Sequence, residues 1–329
     1  TPNLDAFTAG AIEFENAYSN SGWTLPAHAS LFTGLYPVQH RATQETLAFG
    51  IDLPTLGELF GAAGWRTFGA SANGVVSEAN GLARGFERFD ETFRQEVAAR
   101  FGGTVHPNEG ALVDVLDGVG DRPWFAFLNY IEAHLPYRPP AAFADRFVDT
   151  DRFSPQQIAM AQRVRMRDHY PTPEAIPEPL VDRLGQLYDA EVAALDAYVG
   201  HPLDTLRERG LLDETIVVIT SDHGENLGEH GHFAHVFDLH NTLVEVPLIV
   251  RVPGAEPRGR SDAAQLLDLF PTLLALCGIE YAGEVHGRDL FAGGASTSDP
   301  IVVAEYYYPR QVLSVFGPEE LETLADRFA

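Results

Sequence analysis

The feature that most restricts the fold is the run TIVVITSD at 215–222, β-branched and apolar until it stops in polar residues. A short run of this kind predicts a strand buried within a sheet. Before it, apolar residues at helical spacing over 183–209 predict the longest helix, ended by Gly210. The same alternation recurs along the chain. LPTLGELFGAAG (53–64) reads as an amphipathic helix closed by Gly64, followed by the strand RTFGASA (66–72). A helix is predicted over 108–119, and WFAFLNY (124–130) after Pro123 has the pattern of a strand buried on both faces. PLIVRVPG (247–254) is a further strand, 262–277 a helix ending at Gly278, and IVVAEY (301–306) a last strand. Repeated strand–helix units of this kind predict an α/β domain with mostly parallel strands. Residues 141–182, rich in Pro, Arg and Asp, break the pattern. They predict an insertion or lid with one short helix.

In such sheets the chemistry sits at the carboxyl ends of strands. Asp222 and His223 lie at such an end, and five of the 12 histidines fall within 220–240. The carboxylate offers a hard oxygen and the imidazole a borderline nitrogen, a combination that suits a metal ion. Gly224 is expected to let the backbone turn sharply there. A second segment, GWTLPAHASLFTGLYP (22–37), places Thr24 two residues before Pro26 and a run of small residues suited to a helix start. A hydroxyl at a helix N-terminus sits where negative charge is favoured, so Thr24 is a candidate nucleophile. The plainer reading is an N-cap threonine. A third segment, NYIEAHLPYRPP (129–140), puts His134 just past a strand end in a proline-stiffened loop. It is a candidate for substrate binding.

Net charge is −25, and all 22 basic residues are arginine. A halophilic source, where salt screens the self-repulsion, accounts for both features. The charge argues against a nucleic-acid partner, which needs a basic patch. No run of about 18 apolar residues is present, so no transmembrane helix is predicted. The single cysteine, Cys277, excludes an internal disulfide and is expected to be a buried core thiol. The compartment stays open. TPNLDAFTAG reads as a cut rather than a natural start, and EELETLADRFA ends without a finishing signal.

Taken together, these segments resemble the sulfatase family of the alkaline phosphatase superfamily. The family's nucleophile motif runs Cys or Ser, any residue, Pro, Ser, Arg, two residues, Leu, one residue, Thr, Gly. This chain reads Thr24, Leu25, Pro26, Ala27, His28, then Leu31, Thr33 and Gly34. IEAHLPYRPP is similar to the family's His-x-Pro-Tyr loop, and YDAEVAALDAYVGHPLDTLRERGLLDETIVVITSDHGE matches most fully. The order of segments also agrees. The resemblance implies a large, mostly parallel or mixed sheet sandwiched by helices, forming one catalytic domain over 1–329.

It also implies that Asp222 and His223 are metal ligands, with Thr24 as nucleophile beside the ion. His134 and His235 would contact the anionic oxygens of the substrate. The implied ion is Ca²⁺ or Mn²⁺, with Mg²⁺ or Zn²⁺ as further options. The family's first strand, ending in two adjacent aspartates that complete the metal site, would precede Thr1. Asp5 matches the helix after that strand and does not replace them. The expectation for these 329 residues by themselves is therefore weak metal binding and little activity.

Two departures bear on specificity. A threonine cannot be oxidised to the formylglycine of sulfatases, which leaves it as a plain alcohol. Its phosphoryl ester can be hydrolysed by attack at phosphorus, whereas an alkyl sulfate resists attack at sulfur. There is also no lysine to hold a sulfate, and His28 replaces the motif arginine. The anion cradle would be rebuilt from His28, His134 and His235, with Asn73 as a further member. Three readings stay open. One is a hydrolase of a small-molecule or glycan sulfate or phosphate ester. The others are a phosphodiesterase or phosphotransferase acting on a glycan or lipid, and a degenerate glycan-binding relative.

Overall fold

A computed structural model of the chain describes residues 1–48, 50, 52–101, 106–164, 177–292, 300–314, 317 and 321. Helix α1 (Pro2–Thr8) is followed by the short strands β1 (Ile12–Phe14) and β2 (Ala17–Tyr18), then by α2 (Thr24–Thr33) and α3 (Pro37–His40). Helix α4 (Leu56–Ala62) starts in a capping box, with the Thr55 hydroxyl accepting from Glu58 N–H. Such a cap stabilises a helix by about 1 kcal/mol. The strands β3 (Arg66–Ser71) and β4 (Arg88–Glu91) precede α5 (Gln95–Ala98) and α6 (Pro107–Gly118), and β5 (Trp124–Asn129) follows. The 141–182 excursion carries two short helices, α7 (Ala141–Phe147) and α8 (Pro155–Ala161), where one was expected. Its residues 165–176 lie outside the described residues. Helix α9 (Glu178–Glu208) is the longest.

The carboxyl-terminal part adds β6 (Val217–Thr220), the hairpin β7 (Asn226–Leu227) and β8 (Phe233–Ala234), and α10 (Asn241–Val244). It continues with β9 (Leu248–Arg251), β10 (Arg258–Arg260), β11 (Ala264–Gln265) and α11 (Leu269–Leu276). Residues 264–268 are therefore strand and a 3₁₀ turn, not the start of the helix predicted over 262–277. The predicted strand at 301–306 forms no ladder among the described residues. Asn20 and Gln265 hold it through Asn20 Nδ2 to Val303 O, Glu305 N to Asn20 O and Val303 N to Gln265 Oε1.

Two sheets carry the architecture. In one, β3 lies between β4 and β5, all parallel, with Ser71 opposite Asn129. In the other, the order is β10-β1-β9-β6, and β9 runs antiparallel to both neighbours. The alternation of side chains sandwiches both sheets. Phe125 and Phe127 face α2 and α4, while Ala126 and Leu128 face α6 and the end of α9. Leu248 and Val250 face α2 and α11, whereas Ile249 and Ile219 face α1 and α9.

Strands β5 and β6 each have a ladder partner along one edge only among the described residues. Trp124–Asn129 and Val217–Thr220 are half-buried throughout, although β5 was expected to be covered on both faces. The physical reason is the unpaired edge, which leaves the flanks of apolar side chains open. Val217 and Ala126 nevertheless join one apolar cluster above Leu206, which places the two edges side by side. Cys277 is half-buried in the core around α2 and α11, and burial pushes its thiol up to about 11. Among the described residues, no helix is long and apolar enough to cross a membrane.

Candidate active site

Thr24 is the first residue of α2, not its cap; the preceding Trp23 takes the extended cap position. The Thr24 hydroxyl is thereby free of the backbone and lies 3.1 Å from His223 Nε2. His223 Nδ1 donates to the Gly224 carbonyl at 2.8 Å, which fixes the tautomer and leaves a lone pair on Nε2. The hydroxyl therefore donates to His223. Gly224 serves a close approach: a Cβ there would meet the Thr242 carbonyl oxygen at 2.1 Å. Gly34 closes α2 in the left-handed region at φ 69°, with Phe270 2.9 Å from where a Cβ would stand. Gly34 is thus a packing requirement of α2.

Asp222 lies two residues past β6, with Oδ2 3.5 Å from both His223 Nε2 and His28 Nδ1. Burial alone would raise its carboxyl, but the imidazoles of His223, His28 and His235 hold it below the usual range. His28 is one turn into α2. Its Nδ1 donates to Thr24 O at 2.9 Å, and Asn129 Nδ2 approaches its Nε2 at 3.4 Å. Its ring packs edge-on against Phe127. His28 thus ties the end of β5 to the end of β6 and to α2. Asn73 is spent on its own turn, with Oδ1 accepting from Val75 N–H. It reaches the cluster through Ser71, whose hydroxyl contacts Asn73 O and Asn129 Oδ1.

His134 and His235 lie side by side, with ring centroids 4.9 Å apart, and His235 stands 4.3 Å from His223. His134 Nδ1 donates to Leu135 O at 2.6 Å. Burial, then the neighbouring His235, pushes its pKa down and favours the neutral ring. His235 Nδ1 donates to Glu225 Oε1 at 2.8 Å. Glu225 is buried, which would raise its carboxyl, but His235, His134 and His223 hold it below the ordinary range. Its other oxygen accepts from Leu135 N–H, joining the two histidine loops. Glu191, on α9, receives the N–H groups of Ala133 and Arg138 and pins the His134 loop.

Sequence reasoning missed Glu225, Glu191 and Asn129. The signal for Glu225 was its place directly after Asp222-His223-Gly224, while Glu191 and Asn129 gave none. The backbone adds a further mark. Ala133 (φ 66°), Ala234 (φ 63°) and Val236 (φ 93°) occupy the left-handed region on either side of His134 and His235. Such outliers cost about 1–3 kcal/mol each and cluster at functional sites.

The sulfatase family model matches residues 1–279. The chain belongs to the sulfatase family. A curated relative is the uncharacterized sulfatase YidJ of Escherichia coli, 25% identical over 89% of this chain and 66% of its own length. The chain spans about two thirds of the length of the curated relatives it matches. Among solved structures, the phosphonate monoester hydrolase of Silicibacter pomeroyi superposes with a TM-score of 0.69 at 23% identity, covering 88% of this chain and 70% of its own. A protein solved with its substrate D-glucosamine-2-N,6-O-disulfate superposes at 0.71 with 19% identity, covering 94% and 79%. These neighbours show that this sulfatase-family chain has the alkaline-phosphatase-like α/β fold.

Proposed function

We propose that this sulfatase-family chain is the core of a metal-assisted ester hydrolase whose nucleophile is Thr24. The observation that carries this reading is the Thr24 hydroxyl, free of its helix cap and 3.1 Å from an oriented His223 Nε2. Asp222 and His223 fit a divalent ion: a buried carboxylate held ionised stands beside an imidazole whose Nε2 lone pair, taken in this structure by the Thr24 hydroxyl, would turn to the ion. They fill part of an oxygen-rich shell of the Ca²⁺ or Mn²⁺ type. When bound, the ion would lower the pKa of a coordinated hydroxyl and polarise the ester.

The protein's own residues supply the rest. The Thr24 hydroxyl would give up its proton to solvent once the ion has lowered its pKa, and its oxygen attacks phosphorus or sulfur; the bond to Thr24 forms as the bond to the leaving alkoxide breaks. His235, backed by the ionised Glu225, is suited to hydrogen-bond the anionic oxygens and to protonate the departing oxygen. His134, neutral and with Nδ1 occupied, presents a lone pair at Nε2 that suits taking a proton from water when the covalent ester is hydrolysed. His28 positions Thr24 and Asp222 and does not join the anion cradle. A plain threonine alcohol favours phosphate diesters or phosphonates, while the family and the disulfated-sugar neighbour favour a sulfate ester of a glycan.

The deciding assay offers an aryl sulfate, an aryl phosphonate monoester and a bis-aryl phosphate diester, in high salt with Mn²⁺ or Ca²⁺. It is run on the 329 residues and on a chain preceded by the family's first strand. Phosphonate or diester turnover lost in Thr24→Ala supports a threonine-based phosphoesterase. Turnover that survives Thr24→Ala removes the nucleophile assignment. A protein that binds no metal and turns over nothing is the degenerate glycan-binding relative.

A further inference from the structure

The 220–240 segment holds more imidazoles than the site above uses. His232, Asp238 and His240 each bring one donor atom to a common point, all within 4.8 Å of one another. His232 Nδ1 lies 2.6 Å from Asp238 Oδ2. The carboxylate is itself oriented from behind. Asn226, fully buried, donates Nδ2 to Asp238 Oδ2 at 2.9 Å and accepts from the Thr242 hydroxyl, and the His240 backbone N–H donates to Asp238 Oδ1 at 3.0 Å. Such outer hydrogen bonds are what hold a metal-ligating carboxylate in place. His230 stacks on His240, with centroids 3.7 Å apart and planes 18° apart, and so fixes the plane of that ring.

We propose that His232, Asp238 and His240 form a second metal site, separate from Asp222 and His223, that takes a borderline transition ion of the Zn²⁺ type. Two imidazoles and one carboxylate select Zn²⁺, Co²⁺ or Ni²⁺ over Ca²⁺ and Mg²⁺. Zinc bonds of about 2.0–2.1 Å put tetrahedral donors about 3.3 Å apart, so the trio needs side-chain rotations only. His232 comes from the loop of the β7–β8 hairpin, Asp238 from the segment after β8, and His240 caps α10. An ion there clips hairpin to helix and steadies the segment between, which carries His235. The exposed edge of His240 leaves a coordination position open to water.

The test is Zn²⁺ titration of the whole chain by calorimetry, with Co²⁺ absorption to report coordination geometry, in an Asp222→Asn background that removes the first site's carboxylate. The expected result is one equivalent bound in that background, unaffected by millimolar Ca²⁺. Its Kd should rise at least about tenfold in His232→Ala and in His240→Ala. His240→Gln, at an exposed position, guards against a folding defect, with the far-ultraviolet circular dichroism of each variant as control. Failure to bind Zn²⁺ in the Asp222→Asn background, or unchanged affinity in both His232→Ala and His240→Ala, overturns the proposal.

Discussion

The two ends of the 222–240 segment use the same residue type in opposite ways. At the buried end, His223 and His235 each give Nδ1 to an oxygen of the segment, Gly224 O and Glu225 Oε1, and turn the other edge toward Thr24 or His134. At the open end, His232 and His240 converge on a carboxylate held by Asn226. The first group is arranged around a hydroxyl, the second around a point that a cation can occupy. What separates them is the hydrogen-bond acceptor behind each ring and how much water reaches its front.

The most severe break of the first group is Thr24→Ala, expected to lower kcat on the order of 10³-fold or more, with Thr24→Ser retaining most of it, in steady-state assays. Next, Glu225→Gln removes the charge behind His235 and is expected to cost about 10–100-fold in kcat/KM, more in kcat than in KM. With the His134 pKa pushed down, the limb of the kcat profile that reports its deprotonation should lie below pH 6.5, the ordinary histidine value. A limb above that value would show that His134 is not the base.

His40 belongs to neither group and sharpens the contrast. It is buried, contacts the Ser30 hydroxyl through Nε2, accepts from Ala42 N–H at Nδ1, and burial lowers its pKa from 6.5 to about 4. Between pH 6.5 and 4 the unfolded chain binds the proton and the folded chain does not. Stability is therefore fully present above 6.5 and lost as pH falls toward 4, by up to about 3 kcal/mol. Urea denaturation at several pH values should show this slope in the native sequence and a flatter one in His40→Gln. The smallest effect is expected at Ala133. Relief of φ 66° in Ala133→Gly, offset by the added freedom of the unfolded chain, should stabilise by about 1 kcal/mol in thermal melts. A loss of activity in the same variant would tie that backbone geometry to the placement of His134.

Much of the scaffold was legible locally. The β-branched run ending at Asp222, the helix before it and the stop of that helix at Gly210 follow from residue periodicity and from glycine's tolerance of positive φ. Asp222 and His223 were marked because a polar pair after an apolar run can only sit at a strand end. Residues 301–306 misled for a related reason: their composition suits a strand, but Asn20 and Gln265 satisfy their backbone groups instead of a neighbouring strand. Composition states a preference for extended backbone, and only a partner edge makes a ladder.

The sequence by itself determined most of the elements, the family resemblance and the candidates for reactive side chains. The tertiary structure alone decided which of them meet. Thr24 and His223 are 199 residues apart, and His28 and Asn129 are 101 apart. Such contacts depend on how α2 packs across the ends of two sheets. It also turned His28 inward, recruited Glu191 from α9 to hold the His134 loop, and sorted one histidine-rich segment into two groups of side chains. Periodicity acts over a few residues, whereas the position of a proton on an imidazole depends on the atom behind it, which the layering of the fold supplies.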